Sequence, residues 1–100
     1  MIIYNVTVTV ENDVKEAWLK WMREVHIPEV LATGIFTENR ILKVLADADS
    51  GGTSYAVQYS CKDMADYEKY RDQFAPALQK AALDKFKDKF VAFRTLLETV

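Results

Sequence analysis

The sequence contains one cysteine, one histidine, two prolines and three glycines among its 100 residues. A lone cysteine, Cys61, cannot close a disulfide within the chain, so no covalent cross-link is expected to hold the fold. No apolar run approaches the ~20 residues of a membrane-spanning helix, and we expect no membrane partner. A large excess of one sign of charge is also lacking, because the chain has 13 basic and 15 acidic side chains. Without a positive field that attracts a phosphate backbone, nucleic acid is not an expected partner.

What the sequence does have is apolar content. Half of its residues are hydrophobic, which is enough for one ordinary core, and we expect a single domain over residues 1–100. The N-terminus opens directly into a strand-like pattern, without the basic and then apolar segments of a signal peptide. A cytoplasmic location is therefore the expectation.

Period-two alternation of apolar and polar side chains predicts the strands. It recurs in four segments of the chain, at residues 2–10, 35–46, 53–61 and 91–100. The second and third segments are separated by the sequence DADSGG, which is rich in turn-forming residues. These two segments therefore predict a hairpin.

A helical spacing of apolar residues follows the first predicted strand and runs from about Val14 toward His26. Pro28 disfavours helical geometry at the residue before it but can itself begin a new turn. We therefore expect residues 28–32 to form a short separate or kinked helix that ends at Gly34.

The second helix follows Asp63, and Pro76 within it predicts a kink or break near residues 74–77. The order strand, helix, strand, strand, helix, strand is that of the ferredoxin-like α+β sandwich, whose antiparallel sheet carries its helices on one face. Both sides of the predicted strands carry apolar residues. A second copy of the chain is the simplest cover for the other face, so we predict a homodimer packed sheet to sheet, as in dimeric α+β barrels.

The single histidine, His26, is the candidate catalytic residue. It lies near a predicted helix end, where the helix dipole favours the charged imidazole, and its ordinary pKa is close to neutral. These properties suit an acid, a base or a metal ligand; the alternative is a ring that bonds a free carbonyl of the helix end. Only Glu24 and Glu29 lie beside it, at spacings that do not build a compact ligand set, so no metal site is expected.

Five further residues are candidates for ligand binding: Asn5, Trp18, Trp21, Tyr55 and Tyr59. The tryptophans share one helical stripe and offer flat faces to a planar guest, although core packing explains them as well. The tyrosines share one face of the third strand, where their hydroxyls line a cavity or their rings pack against a helix. Asn5 is a polar residue between apolar neighbours in the first strand.

Two isolated strand cations, Arg40 and Arg94, are expected to face solvent or to pair across strands, with Glu38 or Glu98. No serine, cysteine or lysine can be matched by spacing to a base and an orienting group. The leading hypothesis is therefore a small-ligand-binding or interaction module that needs no cofactor.

The alternative is a cofactor-independent monooxygenase or isomerase with a pocket between sheet and helices. His26 would be its acid or base, and Asn5, Tyr55 or Tyr59 would orient the substrate. Such an enzyme needs an internal cavity on the order of 300 Å³ or more.

The run WLKWMREVHIPEVLATGIFTENRILKVL, followed by SYAVQYSC and KFVAFRTLLE, resembles a small bacterial family of unknown function, mostly from Bacteroidetes. The combination specific to that family is Trp18, His26, Pro28, Thr33, Gly34, Phe36 and Tyr59. The resemblance spans essentially the whole chain. It implies a ferredoxin-like or dimeric α+β barrel fold and a cytoplasmic setting, and it implies no activity.

More distantly, the chain is similar to the antibiotic-biosynthesis-type monooxygenases and haem-degrading enzymes of the dimeric barrel group. Some of those use an asparagine on the first strand with a tryptophan and a histidine on a helix. The corresponding residues here are Asn5, Trp18 or Trp21, and His26. In the haem-degrading enzymes the histidine and tryptophan belong to the second helix region, whereas here both lie on the first.

Overall fold

The computed structural model describes residues 1–45 and 51–100. Its strands are β1 (Ile2–Glu11), β2 (Glu38–Lys43), β3 (Gly52–Cys61) and β4 (Phe90–Glu98). Its helices are α1 (Lys15–Trp21), a π-helical turn (Met22–His26), α2 (Ile27–Leu31), α3 (Met64–Gln73) and α4 (Ala75–Phe86), with a 3₁₀ turn (Lys87–Lys89) before β4. Most of the predicted DADSGG turn falls outside the described residues.

The strands form one antiparallel sheet in the order β2-β3-β1-β4. β1 is central: Val6, for example, lies opposite Val57 on one side and Arg94 on the other. β2 and β3 pair directly, as the predicted hairpin requires. This is the predicted ferredoxin-like βαββαβ arrangement of the α+β class, and the prediction is confirmed.

The two faces of the sheet differ in cover. The helix face carries the even-numbered residues of β1, and Ile2, Tyr4, Val8 and Val10 are buried there under the helices. The open face carries the odd-numbered residues of β1 from Ile3 to Thr9, together with their cross-strand partners. The core therefore occupies only one side of the sheet.

Ile27 is helical, although the sequence predicts that Pro28 disfavours helical geometry there, while α2 is a separate short segment, as predicted. Ile27 keeps helical dihedrals, φ −60° and ψ −44°, and its N–H bonds the carbonyl of Met22, five residues back. Proline removes the N–H donor and crowds the carbonyl four residues earlier. A wider π turn just before Pro28 accommodates both effects, so α1, the π turn and α2 follow one another without interruption. Gly34, at φ +79°, lies just beyond the helix end, as predicted.

The break in the second helix lies where Pro76 predicts it. Phe74 separates α3 from α4 with φ −121°, and Pro76 falls in the first turn of α4, where a missing N–H is tolerated. Strand β2 is shorter than predicted, because Ile35 and Phe36 are buried in the core outside the sheet. Over the described ranges, none of the helices combines the length and the apolar character needed to cross a membrane.

Two valines, Val25 in the π turn and Val30 in α2, test how the first helical segment packs on the core. Val30 is 0% exposed and Val25 is 40% exposed. Truncating a buried valine loses its transfer free energy and leaves a cavity, so Val30→Ala should lower the free energy of unfolding by about 2 kcal/mol. Val25→Ala, which makes the same change in helix propensity, should alter it by less than about 0.5 kcal/mol. Urea unfolding at one protein concentration measures both, and equal effects would contradict the packing.

Candidate functional site

A cavity of about 50 Å³ lies between the helix face of the sheet and the helices, and we call it the helix-side cavity. The sheet contributes residues of β1, β3 and β4, and the helical layer contributes residues of α1, the π turn, α3 and α4. Its lining is Tyr4, Val6, Val8, Trp18, Met22, His26, Val57, Tyr59, Tyr70, Gln79, Ala82, Phe90, Ala92 and Arg94. Two of the predicted tyrosine and tryptophan candidates, Trp18 and Tyr59, are thus brought together with His26.

The π turn places His26 at this cavity. Its ring stacks on that of Trp21, with centroids 5.2 Å apart and planes 27° apart. In a regular α-helix, side chains five residues apart point in directions about 140° different, and such rings do not meet. A π turn has more residues per turn than an α-helix, so it brings residues that lie five apart, here Trp21 and His26, nearer to the same side of the helix. π turns inside α-helices are frequent at functional sites.

His26 is neutral at neutral pH. Burial, and after it the positive charge of Arg94, lower its pKa from 6.5 to about 4. The sequence predicted a charged imidazole at a helix end. The helical segment instead continues past His26 to Leu31, so His26 does not lie at the helix end. The alternative, a ring bonded to a free carbonyl, is not found for Nδ1: this buried atom has no hydrogen-bond partner among the described residues.

Tyr59 holds the second unsatisfied polar atom. Its side chain is 2% exposed, and its hydroxyl has no partner in the part of the chain that the structure describes. The ring is fixed between Tyr4 and Phe36, with centroid distances of 6.0 and 5.3 Å. Burial raises the pKa of Tyr59, followed by the nearby hydroxyls of Tyr70 and Tyr4. The phenol therefore stays protonated and keeps a hydrogen to donate.

Arg94 supplies a positive charge to the cavity. It lies on the helix face of β4, opposite Val6, and its Nε donates to the hydroxyl of Tyr4 at 3.2 Å. The expectation that it faces solvent or pairs with Glu98 missed this role. The sequence contained one signal for this position: Arg94 is two residues from Ala92 on the last strand, so both side chains lie on the same face. In the structure this is the helix face.

The remaining aromatic candidates pack around the cavity without lining it. Tyr55 stacks on Trp18, with ring centroids 5.4 Å apart and planes 29° apart. Trp21 contacts Phe86 edge to face, with ring centroids 5.6 Å apart, and stacks on the ring of His26. Their position indicates that they fix the residues that do line the cavity.

Asn5 lies on the open face, across the sheet from His26. Its Oδ1 accepts from Gln58 Nε2 at 3.2 Å, and its Nδ2 donates to Thr7 Oγ1 at 3.1 Å. Arg40 Nη2 in turn donates to Gln58 Oε1 at 3.2 Å. A chain of polar side chains therefore crosses β2, β3 and β1 on the open face. The structure does not bring Asn5 together with the other candidates.

The helix-side cavity thus offers a neutral imidazole, a protonated phenol and a guanidinium. It does not offer metal ligands: within residues 1–45 and 51–100 there is no group of three or more His, Cys, Asp or Glu side chains suited to a metal ion. Its chemistry is that of hydrogen-bond donation and, at the imidazole, proton acceptance.

The low pKa of His26 is directly measurable because it is the only histidine. We expect its ring NMR signals to titrate near pH 4 instead of 6.5. Arg94→Met should raise this pKa, and Arg40→Met, on the open face, should leave it unchanged. The unfolded chain takes up a proton below about pH 6.5 before the folded chain does, so stability should fall by about 2–3 kcal/mol as the pH drops from 6.5 to 4. A titration midpoint near 6.5 would contradict the buried setting.

The whole chain, residues 1–100, matches the family described as "Domain of unknown function (DUF4286)". A comparison with curated proteins gives no match. Among solved structures, HapK from Hahella chejuensis superposes with a TM-score of 0.73 at 10% identity, covering 100% of this chain and 93% of HapK.

Two other solved structures share the architecture. A "putative antibiotic biosynthesis monooxygenase" from Nitrosomonas europaea has a TM-score of 0.70 at 13% identity, covering 100% of this chain and 99% of that one. A dimeric ferredoxin-like protein from an uncultured marine organism has a TM-score of 0.60 at 16% identity, covering 100% and 97%. At such identities the likeness shows a common fold alone. The chain belongs to the DUF4286 family, a family of unknown function, and folds as a ferredoxin-like α+β domain.

Proposed function

We propose that this protein binds a small molecule in the helix-side cavity and works as a homodimer whose open sheet faces pack together. One observation carries the binding proposal: the two buried side-chain polar atoms that lack a partner among the described residues, His26 Nδ1 and Tyr59 Oη, belong to residues that line the same cavity. A buried polar atom without a partner costs about 1–3 kcal/mol. A ligand that bonds both atoms removes that cost.

The size of the cavity favours binding of a small group over an enclosed reaction. Pockets that enclose a whole substrate measure about 300–1,000 Å³, whereas this cavity measures about 50 Å³. The second candidate function is the cofactor-independent monooxygenase or isomerase, which is supported by the neutral imidazole of His26. That activity requires the cavity to enlarge around a substrate.

The open face supports the dimer. Five apolar side chains on it are 37–67% exposed: Leu42, Val44, Val91, Phe93 and Leu97. They flank the polar chain of Asn5, Gln58 and Arg40 on both sides, and a sheet surface of this kind is usually covered by a partner. Relatives of the same fold are described as dimeric ferredoxin-like proteins, which supports a second copy of this chain as the cover. A bacterial source of Bacteroidetes type and a cytoplasmic location stay predictions.

Phe93 is the residue that tests the dimer, because it is apolar, 67% exposed and on the open face. Phe93→Glu places a charge in the proposed interface and should give a monomer in sedimentation velocity at micromolar concentration. Leu83→Glu is the control, since Leu83 is 55% exposed on α4, in the helical layer. A wild-type protein that is already monomeric would overturn the dimer.

Tyr59→Phe tests the binding site through stability. It removes an unsatisfied buried hydroxyl while keeping the ring, so the ligand-free protein should become more stable by about 1 kcal/mol in urea unfolding. Tyr55→Phe makes the same change on the same strand, where the hydroxyl is not among the buried unsatisfied atoms, and should give no gain. A loss of stability in Tyr59→Phe would show that the hydroxyl already has a partner.

Binding itself is tested by protein NMR with four small probes at millimolar concentration: acetate, acetamide, phenol and methylammonium. At least one should shift the signals of His26 and Tyr59 more than those of Asn5, across the sheet. Tyr59→Phe should weaken that response. If no probe moves the cavity signals, the binding proposal fails.

A further inference from the structure

Every polar side chain among the described lining residues of the helix-side cavity can donate a hydrogen bond, including the amide of Gln79, whose carbonyl oxygen also accepts. The phenols of Tyr59 and Tyr70 and the guanidinium of Arg94 all donate hydrogen bonds, and the Nδ1 of a neutral histidine donates in one of its two tautomers. No aspartate or glutamate is among the described lining residues, although the chain has 15 acidic side chains. The one fixed charge at the cavity is therefore positive.

That positive charge has no acidic partner in the part of the chain that the structure describes. Within the described ranges, Arg94 forms no ion pair, and its Nε bonds the neutral hydroxyl of Tyr4. Arg94 lines the cavity and is also exposed to solvent, so it lies where the cavity meets solvent. A guanidinium has five donors in a planar fork, so the bond to Tyr4 leaves others for a ligand oxygen.

The volume limits what enters. A water molecule needs about 10–15 Å³ of cavity volume. A cavity of about 50 Å³ therefore holds about four non-hydrogen atoms. A carboxylate and the carbon that carries it are a group of that size. The rest of a larger ligand must extend past Arg94 toward solvent.

Resting on the proposed function, we propose that the ligand is an organic monoanion: its carboxylate head enters the helix-side cavity between Tyr59, His26 and Arg94, and the rest of the molecule extends past Arg94 toward solvent. A single guanidinium beside a neutral imidazole matches one negative charge. A phosphate dianion would leave one charge without a counter-ion in an apolar site, which is unfavourable.

The experiment compares hexanoate with its neutral amide, hexanamide, by NMR titration of the full chain. Hexanoate should shift the signals of His26 and Tyr59 and bind at least about tenfold more tightly, since charge-assisted hydrogen bonds are roughly twice as strong as neutral ones. Arg94→Met should reduce that ratio to about one, while Arg94→Lys, which keeps the charge, should retain a preference for hexanoate. Arg40→Met, on the open face, is the matched control and should keep the wild-type ratio.

The outcomes separate this inference from the proposed function. If hexanamide binds at the cavity as tightly as hexanoate, the monoanion class is wrong and small-molecule binding stands. Inorganic phosphate that binds more tightly than hexanoate, with the same dependence on Arg94, would replace the monoanion with a phosphate group and overturn this inference. If hexanoate shifts neither His26 nor Tyr59 in the folded protein, the monoanion inference fails, and if the four small probes also leave these signals unmoved, small-molecule binding fails with it.

Discussion

The alternation of β1 at the centre of the sheet is the constraint on which the rest of this structure depends. β1 pairs with β3 on one side and with β4 on the other, so its register fixes the faces of both neighbours. A slip of one residue would move every helix-face side chain of β1 to the open face. Tyr4 and Val8 on one side and Thr7 and Thr9 on the other make that slip unfavourable.

The same alternation divides the functions that we propose between the two faces. The helix face gathers aromatic rings around a small cavity, and the open face carries a polar chain between two apolar margins. Asn5 illustrates the division, because it is a neighbour of Tyr4 in sequence but lies on the opposite side of the sheet. A residue of β1 therefore serves either the cavity or the proposed interface.

The π turn is the local departure from regular structure that shapes the site. The π turn accommodates Pro28 in a helix that continues on both sides, and it brings the ring of Trp21 onto that of His26. The buried ring then meets the positive charge of Arg94 and is held neutral. A single proline is thus connected to the protonation state of the candidate catalytic residue through the geometry of one helical turn.

Alternation, helical spacing and proline positions in the sequence by themselves determined the order of strands and helices along the chain, the fold class that this order indicates and the helix break near Pro76, because these depend on local sequence patterns. The spatial order β2-β3-β1-β4 depends on strand pairing. The sequence also identified Trp18, His26 and Tyr59 as candidates. Only the tertiary structure decided which of them meet. Arg94 and Tyr4 are joined across 90 residues of sequence by strand pairing. The environment of His26 depends on a π turn that α-helical periodicity does not describe, and its neutral state depends on burial, which arises only when the sheet and helices pack together.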